Sequence, residues 1–322
     1  MKTLLTSDPF EAGAIVRRGG IVAFPTETVY GLGAAVSQEL ALNRIFEAKG
    51  RPADNPLIVH LASIDQLERV VADVTPEARR IIDAFFPGPV TVVLPKAKSI
   101  PAVVTAGLDT VAVRMPSGPL TRAFLKACGD PVAAPSANLS GRPSPTTWQA
   151  VLHDLDGRIA AILQGPQAVH GLESTVVDCT GGIPVVLRAG ALSLEELRGV
   201  VPSTRAAKAV DEVEARSPGM RHRHYAPSAR VRVVATADDV PTDPERKAFI
   251  GLHGPADEKR FVDVLVCGSL EQYGFELYHF FRRCDEAGLE AIYCEAVDEV
   301  GLGRAIMDRL RRAAAATDER LP

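Results

Sequence analysis

Two cations stand close together in the run Lys49-Gly50-Arg51-Pro52-Ala53-Asp54-Asn55-Pro56-Leu57-Ile58-Val59-His60. Leu42, Ile45 and Phe46 recur at helical spacing before it, and Gly50 and Pro52 stop that helix. Leu57-Ile58-Val59 then reads as a buried strand. Lys49 and Arg51 are therefore expected on a stiffened turn at a sheet edge, where they could bind an anion. Earlier, Ile21-Val22-Ala23-Phe24 is a second buried strand, and it empties into Pro25-Thr26-Glu27-Thr28-Val29-Tyr30-Gly31-Leu32-Gly33. Ligands of α/β sheets bind outside strand ends, so Thr26, Glu27, Thr28, both cations and His60 can converge on one polar crevice.

Further strands end in the same way. In Thr110-Val111-Ala112-Val113-Arg114-Met115, alternation puts Thr110, Ala112 and Arg114 on one face. An arginine on so valine-rich a strand needs an anionic partner. Pro131 to Ala134 is a short strand opening into Pro135-Ser136-Ala137-Asn138-Leu139-Ser140-Gly141-Arg142-Pro143-Ser144-Pro145-Thr146. By composition this is a turn-rich loop, and its hydroxyls and free N–H groups suit a phosphate chain. Ser174 to Asp178 and Ile183 to Gly190 form a hairpin about Thr180-Gly181-Gly182 that again ends in a cation, Arg188.

Helices must hold these strands in place. Asp8, Pro9 and Glu11 start the first, with Asp8 as N-cap, Pro9 at N1 and Glu11 reaching back, and Gly19-Gly20 closes it. Ser63 and Gln66 cap another, and Thr75-Pro76 starts one that ends at Pro87-Gly88-Pro89. Pro119 to Cys128 is a further helix. The chain of 322 residues is long enough for two domains. Its 46% hydrophobic and 24% charged residues are those of a soluble globular protein, and a net charge of −4 excludes a surface built throughout to coat nucleic acid. Five scattered cysteines without a CxxC spacing suggest neither a disulfide framework nor a zinc site, and they fit a reducing cytoplasm. No signal-peptide core or membrane-spanning run is read.

Near residue 200 the character changes. Four arginines and two histidines fall between Arg216 and Arg230 without an acid, a linker too basic for an idle spacer. Beyond it, Val231–Val234, Ala248–Gly251 and Val262–Val266 read as strands, and Leu277, Phe280, Phe281 and Cys284 as a helix face. Ala291–Cys294 returns as a strand before a last helix whose apolar stripe is Ile306, Leu310 and Ala313 and whose other side is arginine-rich. Such alternation makes a small doubly wound α/β domain. Gly31-Leu32-Gly33 and Gly301-Leu302-Gly303 approach a dinucleotide fingerprint but lack its third glycine, so both are read as turns. Neither a Walker A sequence, nor HExxH, nor GxSxG occurs.

PTETVYGLG and KGRPADNPLIVH together, with TVAVRMP, APSANLSGRPSPT, GLESTVVD, VVLRAGA and SPGMRHRHYAP further on, closely resemble the Sua5/YrdC/YciO family. The likeness spans the chain and implies a YrdC-like catalytic domain over 1–200, a basic linker or lid over 201–229 and a Sua5-type C-terminal domain over 230–322. It implies an open, twisted mixed sheet with flanking helices and a positively charged concave face. By resemblance, threonine falls to Thr28, His60, Arg114 and Ser174. ATP falls to Lys49, Arg51, Asn55, Thr110, Ser136, Asn138, Ser144, Arg188 and Tyr225, with Lys49 and Arg51 as the catalytic cations. At Ala134 many relatives carry a hydroxyl residue.

The implied activity is that of a nucleotidyltransferase. L-Threonine, bicarbonate and ATP, with Mg²⁺, would give threonylcarbamoyl-adenylate and pyrophosphate in the cytoplasm, and a downstream transferase complex would use the adenylate to modify tRNA at position 37. Two readings compete with it: a non-catalytic protein holding double-stranded RNA or tRNA in its basic groove, and an ATP-dependent carbamoyl transferase with another substrate.

Overall fold

The computed structural model describes residues 2–207 and 226–318. Tyr225 and most of the basic linker lie outside the described residues. Within them the strands form two sheets. The larger contains β1 (Leu4–Thr6), β2 (Val22–Phe24), β3 (Gly31–Ala35), β4 (Ile58–His60), β5 (Val90–Pro95), β6 (Thr110–Arg114), β7 (Val132–Ala134), β8 (Ala161–Leu163), β9 (Thr175–Asp178), β10 (Val185–Arg188) and β11 (Arg205–Ala206). Their spatial order is β1-β8-β2-β3-β7-β4-β6-β5-β9-β10-β11. Directions are mixed: β4 runs parallel to β6 and antiparallel to β7, while β5 is antiparallel to β6 and parallel to β9.

The helices begin and end where local chemistry directs. Asp8 accepts the Phe10 N–H at 2.8 Å ahead of the Pro9–Arg17 helix. Thr75 caps Pro76–Phe85 through the Ala78 N–H. The Glu39–Lys49 helix stops because Gly50 takes a left-handed conformation at φ 60°. One difference from expectation follows: Lys49 closes this helix instead of standing on the turn, and β4 lies inside the sheet, not at its edge.

A second difference concerns Gly31-Leu32-Gly33, which is strand β3 and not a turn. The Phe24 ring of β2 lies across it. A Cβ on Gly33 would come within 2.5 Å of Val132 and 2.8 Å of that ring, so these glycines serve close approach. Gly301 does turn, at φ 56°, and Gly303 opens the last helix.

On one face of the large sheet pack the helices Glu39–Lys49, Pro76–Phe85, Trp148–Leu155 and Leu194–Val200. On the other face Pro9–Arg17 and Pro119–Cys128 cover the half around β2 and β7. Past them, among the described residues, Ile58, Val93, Ala112, Val176 and Leu187 form a small apolar patch. Beyond those two helices, this face of β4, β6, β5 and β9 is the floor on which the site described below is built.

The second sheet holds β12 (Arg230–Val234), β13 (Lys247–Gly251), β14 (Asp263–Val266) and β15 (Ala291–Glu295) in the order β12-β15-β13-β14, all parallel. The Leu270–Glu286 and Gly303–Asp318 helices pack on one of its faces, and short 3₁₀ turns close the other. Val29 and Leu172 of the larger unit share the core beneath those helices. Among the described residues no helix is long and apolar enough to cross a membrane.

His60 ends β4 with 4% exposure, its ring edge-on to Phe24 at 5.6 Å and its Nδ1 3.0 Å from the Ile58 carbonyl oxygen. Burial first, and then the Arg114 charge, push its pKa down from 6.5 to about 3. The unfolded chain therefore binds a proton between these values that the fold refuses. Stability must fall as pH drops through this window, by at most about 1.4 kcal/mol per unit from this residue. Urea unfolding between pH 6.5 and about 4.5, above the carboxylate range, should show a shallower loss in His60→Gln than in the parent. Equal slopes would mean that His60 is not held neutral.

Candidate active site

The turn after β2 is built by its own hydroxyls. Thr26 Oγ1 donates to the Val29 carbonyl at 2.6 Å, lies 2.9 Å from Thr28 Oγ1 and accepts the Thr28 N–H. Glu27 and Thr28 are thereby presented to the end of β6. There Arg114, 3% exposed, donates from Nη1 to Thr28 Oγ1 at 2.7 Å and pairs through Nη2 with Glu27 Oε1 at 2.9 Å. The anionic partner that the valine-rich strand requires is Glu27. Burial raises the Glu27 carboxyl, but the Arg114 charge and hydrogen bond, with backbone donors including Ser117, outweigh it and hold the pKa below the ordinary value.

His60 is the register partner of Arg114 on β4, as Ile58 is of Ala112. Partners across a ladder share a face, so these four side chains form one floor. Ser174, just before β9, closes a neighbouring side: its Oγ lies 2.8 Å from Thr91 Oγ1 and accepts from Arg188 Nη2 at 3.2 Å. Arg188 also donates to the Ser174 carbonyl at 2.9 Å. Above the floor opens a cleft whose empty space, open solvent at its mouth included, is ≈ 570 Å³. Thr28, Arg51, His60, Arg114, Ser136, Ser174 and Arg188 all line it, as does Ala134.

Other expected residues stand behind its walls. Lys49 is 2% exposed, and its ammonium donates to the carbonyls of Ser136, at 2.6 Å, and Asn138. It holds the 135–146 loop from beneath and does not line the cleft. Burial, and then the Arg51 charge, push its pKa well below the ordinary lysine value. Asn138 binds the same loop, donating to the carbonyls of Leu139 at 2.7 Å and Arg142 at 2.9 Å and accepting from Ser136 Oγ at 2.6 Å. Arg51 lines the cleft and braces its own loop through the Pro56 carbonyl at 3.3 Å. Asn55 is fully buried in that loop. Thr110 lies along β6 beside a separate small hollow with Leu57 and Thr105. Ser144 is buried and donates to Glu173 Oε1 at 2.6 Å.

Sequence reasoning missed Glu173, which lines the cleft beside Ser174. It also missed the residues that reach Glu173 from the second unit: Tyr278, whose hydroxyl donates to Oε2 at 3.0 Å, and Arg309, whose Nε donates to the same atom at 2.9 Å. Spacing carried a signal for Arg309, which falls between Ile306, Leu310 and Ala313 on the apolar stripe of its helix.

Residues 14–190 match the Sua5/YciO/YrdC family model, described as telomere recombination, and residues 192–315 match the model of the threonylcarbamoyl-AMP synthase C-terminal domain. A threonylcarbamoyl-AMP synthase of Pyrococcus abyssi is 45% identical over 94% of this chain and 92% of its own. One from Bacillus subtilis is 42% identical over 97% and 94%. The crystal structure of P. abyssi Sua5 complexed with L-threonine superposes with a TM-score of 0.90 at 41% identity, covering 98% of each chain. With both of its parts matched, the chain belongs to the Sua5/YciO/YrdC family, in the form that carries the threonylcarbamoyl-AMP synthase C-terminal domain.

Proposed function

We propose that this cleft joins L-threonine, bicarbonate and ATP into L-threonylcarbamoyl-adenylate, releasing pyrophosphate. The observation that carries the reading is the floor of His60 and Arg114, with Thr28 bonded to Arg114, flanked by Ser174 and lined alongside by Arg51 and Arg188. Relatives of that activity, similar over nearly the full length, support it. A groove meant only to cradle an RNA backbone has no use for a buried arginine surrounded by hydroxyls.

In this reading Arg114 takes the threonine carboxylate, a group its guanidinium can fork onto, while Glu27 holds it from behind. Thr28, His60 and Ser174 enclose the side chain. With a pKa near 3, His60 stays neutral at physiological pH and contributes shape and hydrogen bonding without carrying protons. The threonine amine captures CO₂ or bicarbonate as a carbamate. A carbamate oxygen then attacks the α-phosphorus, the bond to the bridging oxygen breaks, and pyrophosphate leaves. No protein nucleophile is needed. Arg51 and Arg188 offset phosphate charge, and Lys49 holds the loop that carries Ser136 and Asn138.

Mg²⁺ enters with the phosphates, as part of the nucleotide substrate. We assign residues 1–200 to catalysis and 230–322 to the second domain, joined by the linker. The adenylate would pass in the cytoplasm to a transferase complex that modifies tRNA.

Pyrophosphate release should require bicarbonate and Mg²⁺ and should favour L-threonine over L-serine by about 10–200-fold, the worth of one methyl group in a fitted pocket. Equal turnover of the two amino acids would defeat the pocket assignment, and ADP as product would defeat the reaction.

Arg114→Lys should raise the threonine requirement by one to two decades, the loss of a charge-assisted hydrogen bond of about 1.5–3 kcal/mol, with a smaller change for ATP. Arg51→Ala should do the reverse. Calorimetry showing threonine binding untouched in Arg114→Lys would remove the carboxylate role.

A further inference from the structure

Two carboxylates of the larger unit are held by cations of the second, and both sit at the cleft's supports. Asp154 accepts from Arg282 at 2.8 Å and from Arg142 at 2.9 Å, while its Oδ2 also accepts the Leu139 N–H at 3.2 Å. Arg282 donates in addition to the Pro143 carbonyl. This cluster grips the 135–146 loop.

The second clamp is more deeply buried. Arg309 is 0% exposed, and its guanidinium donates to Glu173 Oε2 and, at 2.9 Å, to the Ala189 carbonyl. Ala189 follows Arg188, and Glu173 precedes Ser174. One side chain of the second unit therefore fixes two backbone segments that carry cleft residues. Glu173 in turn accepts from Ser144 and Tyr278. Burial raises this carboxyl, but Arg309 and Arg188, with the Ser144 hydrogen bond, hold it below the ordinary value, so it remains a carboxylate at neutral pH.

We infer that Glu173 is a positioning residue through which Arg309 and Tyr278 of the second unit set Ser144, Ser174 and Arg188, so that nucleotide binding and docking of that unit are energetically coupled. The inference rests on the reading of the cleft as a nucleotide and threonine site. The physical basis is reciprocity: if docking improves the cleft for its ligand, the ligand must strengthen docking by the same factor. A plain interdomain ion pair would have no carboxylate in the cleft wall. Glu173 has both roles, and its Oε1 and Oε2 divide them, with Ser144 on one oxygen and the second unit on the other.

The test uses the full chain, with hydrogen exchange measured with and without Mg²⁺ and α,β-methylene-ATP, whose α–β bridge cannot be cleaved, alongside initial rates. In the parent, nucleotide should slow exchange in the Gly303–Asp318 helix, although that helix does not line the cleft. In Glu173→Gln the ligand-induced slowing should vanish, and the KM for ATP should rise about tenfold, by more than kcat falls. Tyr278→Phe removes a single hydroxyl and keeps the test valid if Glu173→Gln does not fold. It should shift both readouts in the same direction, KM by about three- to tenfold. Parent-like KM and protection in Tyr278→Phe would overturn the inference. Failure of the parent to bind the analogue at all would instead overturn the cleft reading, and the inference with it.

Discussion

A buried guanidinium on a valine-rich interior strand is the constraint that organises this molecule. Arg114 cannot remain charged inside the sheet without an anion, and an uncompensated buried charge costs about 3–5 kcal/mol. Glu27 supplies the anion from a distant part of the sequence, and the threonine turn that carries it is shaped by Thr26 bonding back on its own backbone. The pair ties the end of β2 to the end of β6, and with it the two halves of the sheet. Thr28, bound to the same guanidinium, is placed as part of that tie. Structure and the proposed recognition thus draw on one interaction.

The same economy recurs in the supporting cations. Lys49 is spent on two loop carbonyls, Arg188 on the Ser174 backbone and Arg309 on Glu173. Each holds a loop or strand end that would otherwise have only turn geometry to define it. A site made of loops gains its precision from such cross-bracing, since loops alone are the mobile parts of a fold.

Much of this was legible in the sequence. Apolar runs marked β2, β4, β6 and β9, polar residues at their ends marked the crevice, and Gly50 marked the end of a helix. What escaped were contacts between residues far apart in the chain. Periodicity gives the last helix an apolar side and an arginine-rich one, yet Arg309 lies on the apolar stripe and is fully buried, because its partner Glu173 is 136 positions away and local patterns are blind to such pairs. Gly31 and Gly33 looked like turn glycines, because glycine signals both freedom of backbone and closeness of neighbours. Here the neighbour is the Phe24 ring, whose position no local pattern reveals.

The mixed wall of the cleft has a consequence for ligand design. Its apolar part is made by Val29, Tyr30, Pro56, Ile58, Ala134 and Pro135, while the rest of the wall offers guanidinium and hydroxyl groups. Contact with the apolar part contributes roughly 25 cal/mol per Å² buried. On the proposed reading of the cleft, inhibitors would add anionic groups facing Arg51, Arg114 and Arg188, and membrane permeability then becomes a hard problem for a medicinal chemist.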